Sequence, residues 1–154
     1  MKPVEIETFT LIGLALTRKT TNENNQASID CGELWQKFLT EKWQEKIPSK
    51  LNEDVFAVYH GYEKDHTQPY SFFIGCKVQP GTLAPTGLNS LQIATGTYQP
   101  FIAKGAMPGC VVDTWNKIWN SDITRAYKTD FEVYNQNSLN WKDAVIEIFI
   151  GLND

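Results

Sequence analysis

The stretch Asp130-Phe131-Glu132-Val133-Tyr134 decides the fold, because the chain has already used its pattern once as Phe56-Ala57-Val58-Tyr59, 75 residues earlier. Phe73-Ile74-Gly75 returns as Phe149-Ile150-Gly151 at an offset of 76 residues, and Trp35-Gln36-Lys37-Phe38 is answered by Trp115-Asn116-Lys117-Ile118 at an offset of 80. Three matches in the same order and at nearly one spacing indicate two copies of one supersecondary unit. The copies differ at one telling position. Ala57 in the first is Glu132 in the second, a carboxylate in place of a methyl group.

Strand side chains alternate between faces, so Glu132 shares a face with Tyr134, and Ala57 with Tyr59. Phe56, Val58, Phe131 and Val133 point the other way and are expected to pack under helices, leaving the Glu132 face toward a cleft. A charged carboxylate among rings is costly to desolvate. It takes up a proton, finds a donor or accepts a cation, and each surrounding ring adds about 0.5–2 kcal/mol of cation–π attraction to a cationic ligand. Alternation equally fits a wet strand face on which Glu132 is only solvated.

Outward from these motifs, Ile6 to Leu16 reads as a strand with Gly13 as a candidate bulge. Asp30 to about Glu45 reads as a helix, with Asp30 and Glu33 in capping-box spacing and Trp35, Phe38, Leu39 and Trp43 on one face. Val55–Tyr62 and Tyr70–Val78 follow as strands, and the turn-rich segment 80–87 separates the halves. Leu91 to Ile102 reads as strand broken by Gly96 and Pro100. Pro108-Gly109 opens a second helix, Phe131–Tyr134 is strand, and Val145–Leu152 closes the chain as a strand. The order is β-α-β-β twice. We therefore expect an α+β fold in a single domain spanning 1–154, with repeat 1 at about 4–80 and repeat 2 at about 88–154. The two pseudo-symmetric repeats form a curved or barrel-like antiparallel sheet with two helices and a central cleft.

The bulk properties exclude several classes. The 154 residues carry a net charge of −4, and no basic cluster exists for direct nucleic-acid binding. No apolar run reaches the roughly 18 residues of a membrane span, and the start lacks a signal-peptide core. Cys31, Cys76 and Cys110 are odd in number and widely spaced, so they read as reduced thiols of a cytoplasmic protein. His60 and His66 do not align as metal ligands and read as exposed turn residues. Glu147, in an apolar strand, is a minor inward-facing candidate. No phosphate loop, Ser/His/Asp set or His-Glu-x-x-His helix occurs, so no catalytic residue, metal or cofactor is assigned. Nothing resembles a coiled-coil seam, and a monomer is the default.

Four stretches resemble the effector-binding domain of the AraC-type and gyrase-inhibitory-protein-like family. Ala94-Thr95-Gly96-Thr97-Tyr98 through Gly105 is similar to the family's Gly-x-Tyr segment, and Val112 through Trp119 to its second-helix Trp pattern. Asp130 through Tyr134 is similar to its Phe-Glu-x-Tyr strand, and Val145 through Ile150 to its closing strand. The resemblance implies a pocket between the two halves that takes hydrophobic, cationic, drug-like molecules. Glu132 maps onto the acidic residue that attracts the cation, and Trp35, Tyr59, Trp115, Tyr134 and Phe149 onto the aromatic wall. Regulators of the family carry a helix-turn-helix domain ahead of this module, for which this chain leaves no residues. It resembles the stand-alone form also encoded by integron cassettes, acting as a sensor or sequestering module with a DNA-binding regulator as partner. Two other readings follow from the resemblance: a small-molecule hydrolase using the pocket glutamate, and an inhibitor of a partner protein such as gyrase.

Overall fold

A computed structural model describes residues 1–153. Eight strands and two helices follow in the order β1 Val4–Ile6, β2 Phe9–Ala15, α1 Gln26–Thr40, β3 Val55–His60, β4 Ser71–Val78, β5 Asn89–Ile93, β6 Gly96–Gly105, α2 Gly109–Trp119, β7 Arg125–Tyr134 and β8 Ala144–Leu152. All eight strands form one sheet in the order β1-β6-β8-β7-β3-β4-β2-β5, with every pairing antiparallel. The doubled unit is visible in that order. Repeat 1 is β2-α1-β3-β4 and repeat 2 is β6-α2-β7-β8. Each repeat also receives a short edge strand from the other side: β5 pairs with β2, and β1 with β6. The outer strands β1 and β5 do not meet, so the sheet is a curled half-barrel.

The repeats join at the β3–β7 ladder. Phe56 pairs with Val133, Ala57 with Glu132, and Val58 with Phe131. The repeat offset maps Phe56 onto Phe131 and Val58 onto Val133, so the ladder is symmetric about the Ala57–Glu132 pair. The pseudo-twofold axis passes between those two residues.

Both helices cover the face that carries Ala57, Tyr59, Glu132 and Tyr134. Leu34 and Phe38 of α1 pack on Ile12, Leu14, Phe72 and Ile74, while Cys110 and Ile118 of α2 pack on Ala103, Ile146, Ile148 and Ile150. Phe56, Val58, Phe131 and Val133 are buried on the helix-free face, with Phe9, Leu11, Phe73 and Tyr98. The alternation expected from sequence holds, but the helices cover the Glu132 face and not the Phe56–Phe131 face expected for them. Curvature is the reason. Phe9 and Phe131 lie three strand positions apart, about 14 Å in a flat sheet, yet their ring centroids are 5.7 Å apart. The sheet curls around this aromatic cluster and buries it without a helix.

Gly13 is not a bulge. It sits in unbroken register opposite Gly75, and a Cβ built on it would lie 1.9 Å from the Ile74 carbonyl oxygen. The pair of glycines permits β2 and β4 to approach closely as the sheet bends. Helix α1 begins four residues before Asp30, after a 3-10 turn in which Asn24 and Asn25 adopt positive φ. Asp30 caps nothing, and its carboxylate accepts from Thr20 Oγ1 and Gln26 Nε2 at 2.7 and 2.9 Å. The helix stops at Thr40 because Lys42 turns left-handed (φ 55°), which leaves Trp43 in a separate 3-10 turn, Trp43–Lys46, and Leu39 exposed. Pro100 interrupts nothing and lies within β6. Among the described residues, no helix is long and apolar enough to cross a membrane.

Candidate ligand-binding site

The two helices bury few side chains against the sheet, and between them a cleft opens over the β3–β7 seam. Glu132 forms its floor, while its ladder partner Ala57 lies fully buried and does not line it. Each helix contributes one tryptophan, and each tryptophan crosses the axis to a tyrosine of the other repeat. Trp35 of α1 meets Tyr134 of β7 edge-on, with centroids 5.0 Å apart at 76°. Trp115 of α2 meets Tyr59 of β3 at 5.3 Å and 72°. These geometries favour aromatic pairs, and they are two images of one contact under the pseudo-symmetry.

The symmetry breaks at the floor. Ala57 is fully buried and offers nothing polar, whereas Glu132, only 2% exposed, gathers three donors. Trp115 Nε1 donates to Oε2 at 2.6 Å, Tyr59 OH to the same oxygen at 3.1 Å, and Tyr134 OH to Oε1 at 2.7 Å. Strand alternation and the helix position at Trp115 bring β3, β7 and α2 together on one carboxyl group. Burial raises the pKa of Glu132, and the three hydrogen bonds offset only part of that rise. Burial also drives the Tyr59 and Tyr134 hydroxyls well above the ordinary phenol value, with the Glu132 charge adding to it. The nearby Cys31 thiol is pushed up to about 12, first by burial and then by Glu132. Among the described residues, no Lys, Arg or His pairs with Glu132.

The cavity above this floor measures about 1400 Å³ and is partly open to solvent, larger than the ~300–1,000 Å³ of ordinary small-molecule pockets. Trp35, Tyr59, Trp115, Glu132 and Tyr134 all line it. Phe149 does not. Its ring stacks on Phe131 at 5.0 Å within the cluster on the helix-free face, because alternation along β8 sends Ile148 and Ile150 to the cleft side and Phe149 away from it. Glu147 shares that parity and is likewise outside the cavity.

Sequence reasoning missed the residues at one end of the cavity. Arg125 and Asp130 form a buried ion pair at 2.8 Å, and Asp130 also accepts from Tyr62 OH at 2.6 Å and from the Gly151 backbone N–H at 2.9 Å. Arg125 lines the cavity beside His66. His66 is not an exposed turn residue: it is half-buried and stacks on Trp119 at 5.5 Å and 11°. Asp130 was legible, since it shares strand parity with Glu132 and Tyr134. Arg125 was not, because the β7 register shifts between Arg125 and Asp130 and destroys the period there.

A family model described as "Cass2: Integron-associated effector binding protein" matches residues 4–152. The chain belongs to this family. The integron-associated effector binding fold is shared with an integron cassette protein from the mobile metagenome of Vibrio cholerae, 30% identical, with a TM-score of 0.76 over 99% of this chain and 95% of that one. A protein solved with tetraphenylphosphonium bound has the same fold, with a TM-score of 0.80 at 17% identity, covering 99% of this chain and 93% of the other. YobU of Bacillus subtilis (strain 168), which carries the name of a transcriptional regulator, is 24% identical over 127 residues, 77% of each chain. Family membership agrees with the resemblance read from the four sequence stretches, and the family's name assigns it to effector binding.

Proposed function

We propose that this protein binds hydrophobic organic cations in the cleft between its helices, with Glu132 as counter-ion. The observation that carries this reading is Glu132 itself: a carboxyl group 2% exposed, walled by rings, and held by three neutral donors with no cationic partner among the described residues. A buried charge is costly unless neutralised. A guest cation supplies the missing charge, while Trp35, Tyr59, Trp115 and Tyr134 supply apolar area and cation–π attraction. Tetraphenylphosphonium on a protein of the same fold is a hydrophobic cation of this class. Binding without turnover is the better reading, because the groups around Glu132 make poor nucleophiles. Both tyrosine hydroxyls donate to it, and the Cys31 thiol stays protonated. The name of the Bacillus relative supports a role in reporting on ligand to transcription, with a DNA-binding regulator as partner.

Tetraphenylphosphonium and tetraphenylborate have almost the same shape and opposite charge. Titrated separately while tryptophan fluorescence is followed, the cation is expected to bind at micromolar concentration, about −8 kcal/mol, and the anion at least tenfold more weakly. Equal affinities, or preference for the anion, would refute the counter-ion reading.

A further inference from the structure

Among the described residues, three buried side-chain polar atoms lack a hydrogen-bond partner: Nε and Nη1 of Arg125, and Nδ1 of His66. All three belong to the same end of the cavity, and both residues line it. The coincidence matters because buried polar groups in folded proteins are almost always satisfied, and exceptions mark sites of use. Arg125 is 7% exposed. Its guanidinium uses one nitrogen, Nη2, to pair with Asp130 and lies over the Tyr127 ring, 4.3 Å from the centroid. The His66 ring stacks on the same Tyr127 at 6.1 Å.

The backbone points to the same place. Tyr127 holds a positive φ of 53°, and the β7 register shifts between Arg125 and Asp130. A bulge of this kind re-aims side chains and is over-represented next to active sites, and a positive φ on an aromatic residue is strain that the surroundings must sustain. Here it accompanies the placement of Arg125 at the cavity end, with the Tyr127 ring packed against Arg125 and His66. Trp115 links this end to the floor: its indole N–H reaches Glu132, and its ring centroid is 5.9 Å from the Arg125 guanidinium carbon. One side chain touches both polar groups, so one drug-sized molecule can reach both.

We propose that Arg125 and His66 form a second polar subsite, which takes an uncharged oxygen acceptor, a ketone, amide or ester carbonyl, borne by the same organic cation that Glu132 neutralises. The inference rests on the counter-ion reading above. The acceptor is uncharged because Asp130 already neutralises Arg125, and a ligand carboxylate would face Asp130 and Glu132 together. His66 adds no charge of its own, since burial, and then Arg125, lower its pKa. The guanidinium lies over the Tyr127 and Trp115 rings. Trp119, 42% exposed and held by ring contacts to His66 and Trp115, is the outer ring that turns aside to admit the carbonyl.

Two probes differ in a single group: (4-benzoylbenzyl)trimethylammonium, with a ketone, and (4-benzylbenzyl)trimethylammonium, with a methylene in its place. Calorimetric titration of the wild-type protein is expected to show the ketone bound about tenfold more tightly. Arg125→Lys keeps the charge beside Asp130 but loses the fork, and is expected to abolish that ratio. His66→Phe keeps the ring stack and is expected to reduce the ratio. Glu132→Gln weakens both probes in parallel and leaves the ratio intact. Equal wild-type affinities for the two probes overturn the subsite, as does a ratio that survives Arg125→Lys. Glu132→Gln binding both probes like wild type overturns the counter-ion reading instead, and failure of both probes to bind the wild type overturns the two together.

Discussion

Ala57 and Glu132 face each other as direct partners in the β3–β7 ladder, at the point where the two halves of the chain meet. Duplication places equivalent positions opposite one another there, and the chain uses the coincidence to put a single carboxyl group at the centre of a pseudo-symmetric cleft. The aromatic walls repeat, Trp35 on Tyr134 and Trp115 on Tyr59, while the charge does not. One charge rather than two makes the site usable, because directly opposed carboxylates in a ladder repel.

Ala57→Glu tests that statement. It restores the symmetry and places a second carboxyl group in a fully buried position opposite the first. We expect a loss of about 2–4 kcal/mol at pH 8, read by urea unfolding, and partial recovery near pH 5, where one of the two groups takes up a proton. An Ala57→Glu protein as stable as wild type at pH 8 would show that the floor of the cleft is wet.

The pseudo-symmetric tryptophans predict unequal phenotypes. Trp115 donates to Glu132, and Trp35 has only Ala57 at the corresponding place. Trp115→Phe removes a hydrogen bond to a charged group, worth about 1.5–3 kcal/mol, and should weaken tetraphenylphosphonium binding about tenfold or more. Trp35→Phe keeps an aromatic wall and should cost less than about threefold. Calorimetry on the two variants decides it, and equal losses would contradict the asymmetry.

The raised pKa of Glu132 couples binding and stability to pH in opposite directions. The folded protein holds this proton more tightly than the unfolded chain, whose value is near 4.5. The Glu132 contribution to stability is therefore fully present below about pH 4.5 and is lost as pH rises through the folded value. A guest cation favours the carboxylate, so its affinity rises with pH through the same window. Thermal unfolding and tetraphenylphosphonium titrations from pH 5 to 8 should show both trends in the wild type, and neither should appear in Glu132→Gln beyond the background of the other groups.

The Arg125–Asp130 pair predicts a stability cycle. Arg125→Met leaves Asp130 buried without its cation, and should cost about 3–5 kcal/mol. Adding Asp130→Asn should recover most of that loss, because the neutral amide no longer needs a cation: its Oδ1 still accepts from the Gly151 N–H, and its NH2, in the place of Oδ2, donates to the Tyr62 hydroxyl. Chemical denaturation of both single variants and the double variant measures the coupling. Additive losses would mean that the pair is incidental.

What could be read in the sequence was whatever obeys a short period or a repeat. The period of two placed Glu132 with Tyr134, and the repeat placed both with Tyr59. Two helices carrying equivalent tryptophans followed from the same logic, and all of these residues line one cavity. Phe149 came from family resemblance alone, and strand parity, applied to Ile148 and Ile150, would have turned it away from the cleft. The choice of face failed because sheet curvature is a property of all eight strands together: nothing local to Phe56 or Phe131 says that their side of the sheet closes on itself. Arg125 and His66 stayed hidden for a different reason. A bulge with positive φ at Tyr127 and a ring stack across loops leave no period to detect.

The most direct test of the account is isothermal calorimetry of tetraphenylphosphonium against the wild type and Glu132→Gln at pH 7.5, with circular dichroism confirming that both are folded. The account predicts at least a tenfold weaker affinity for Glu132→Gln, since the amide keeps the shape of the floor and removes its charge. Indistinguishable affinities for the two folded proteins would contradict it.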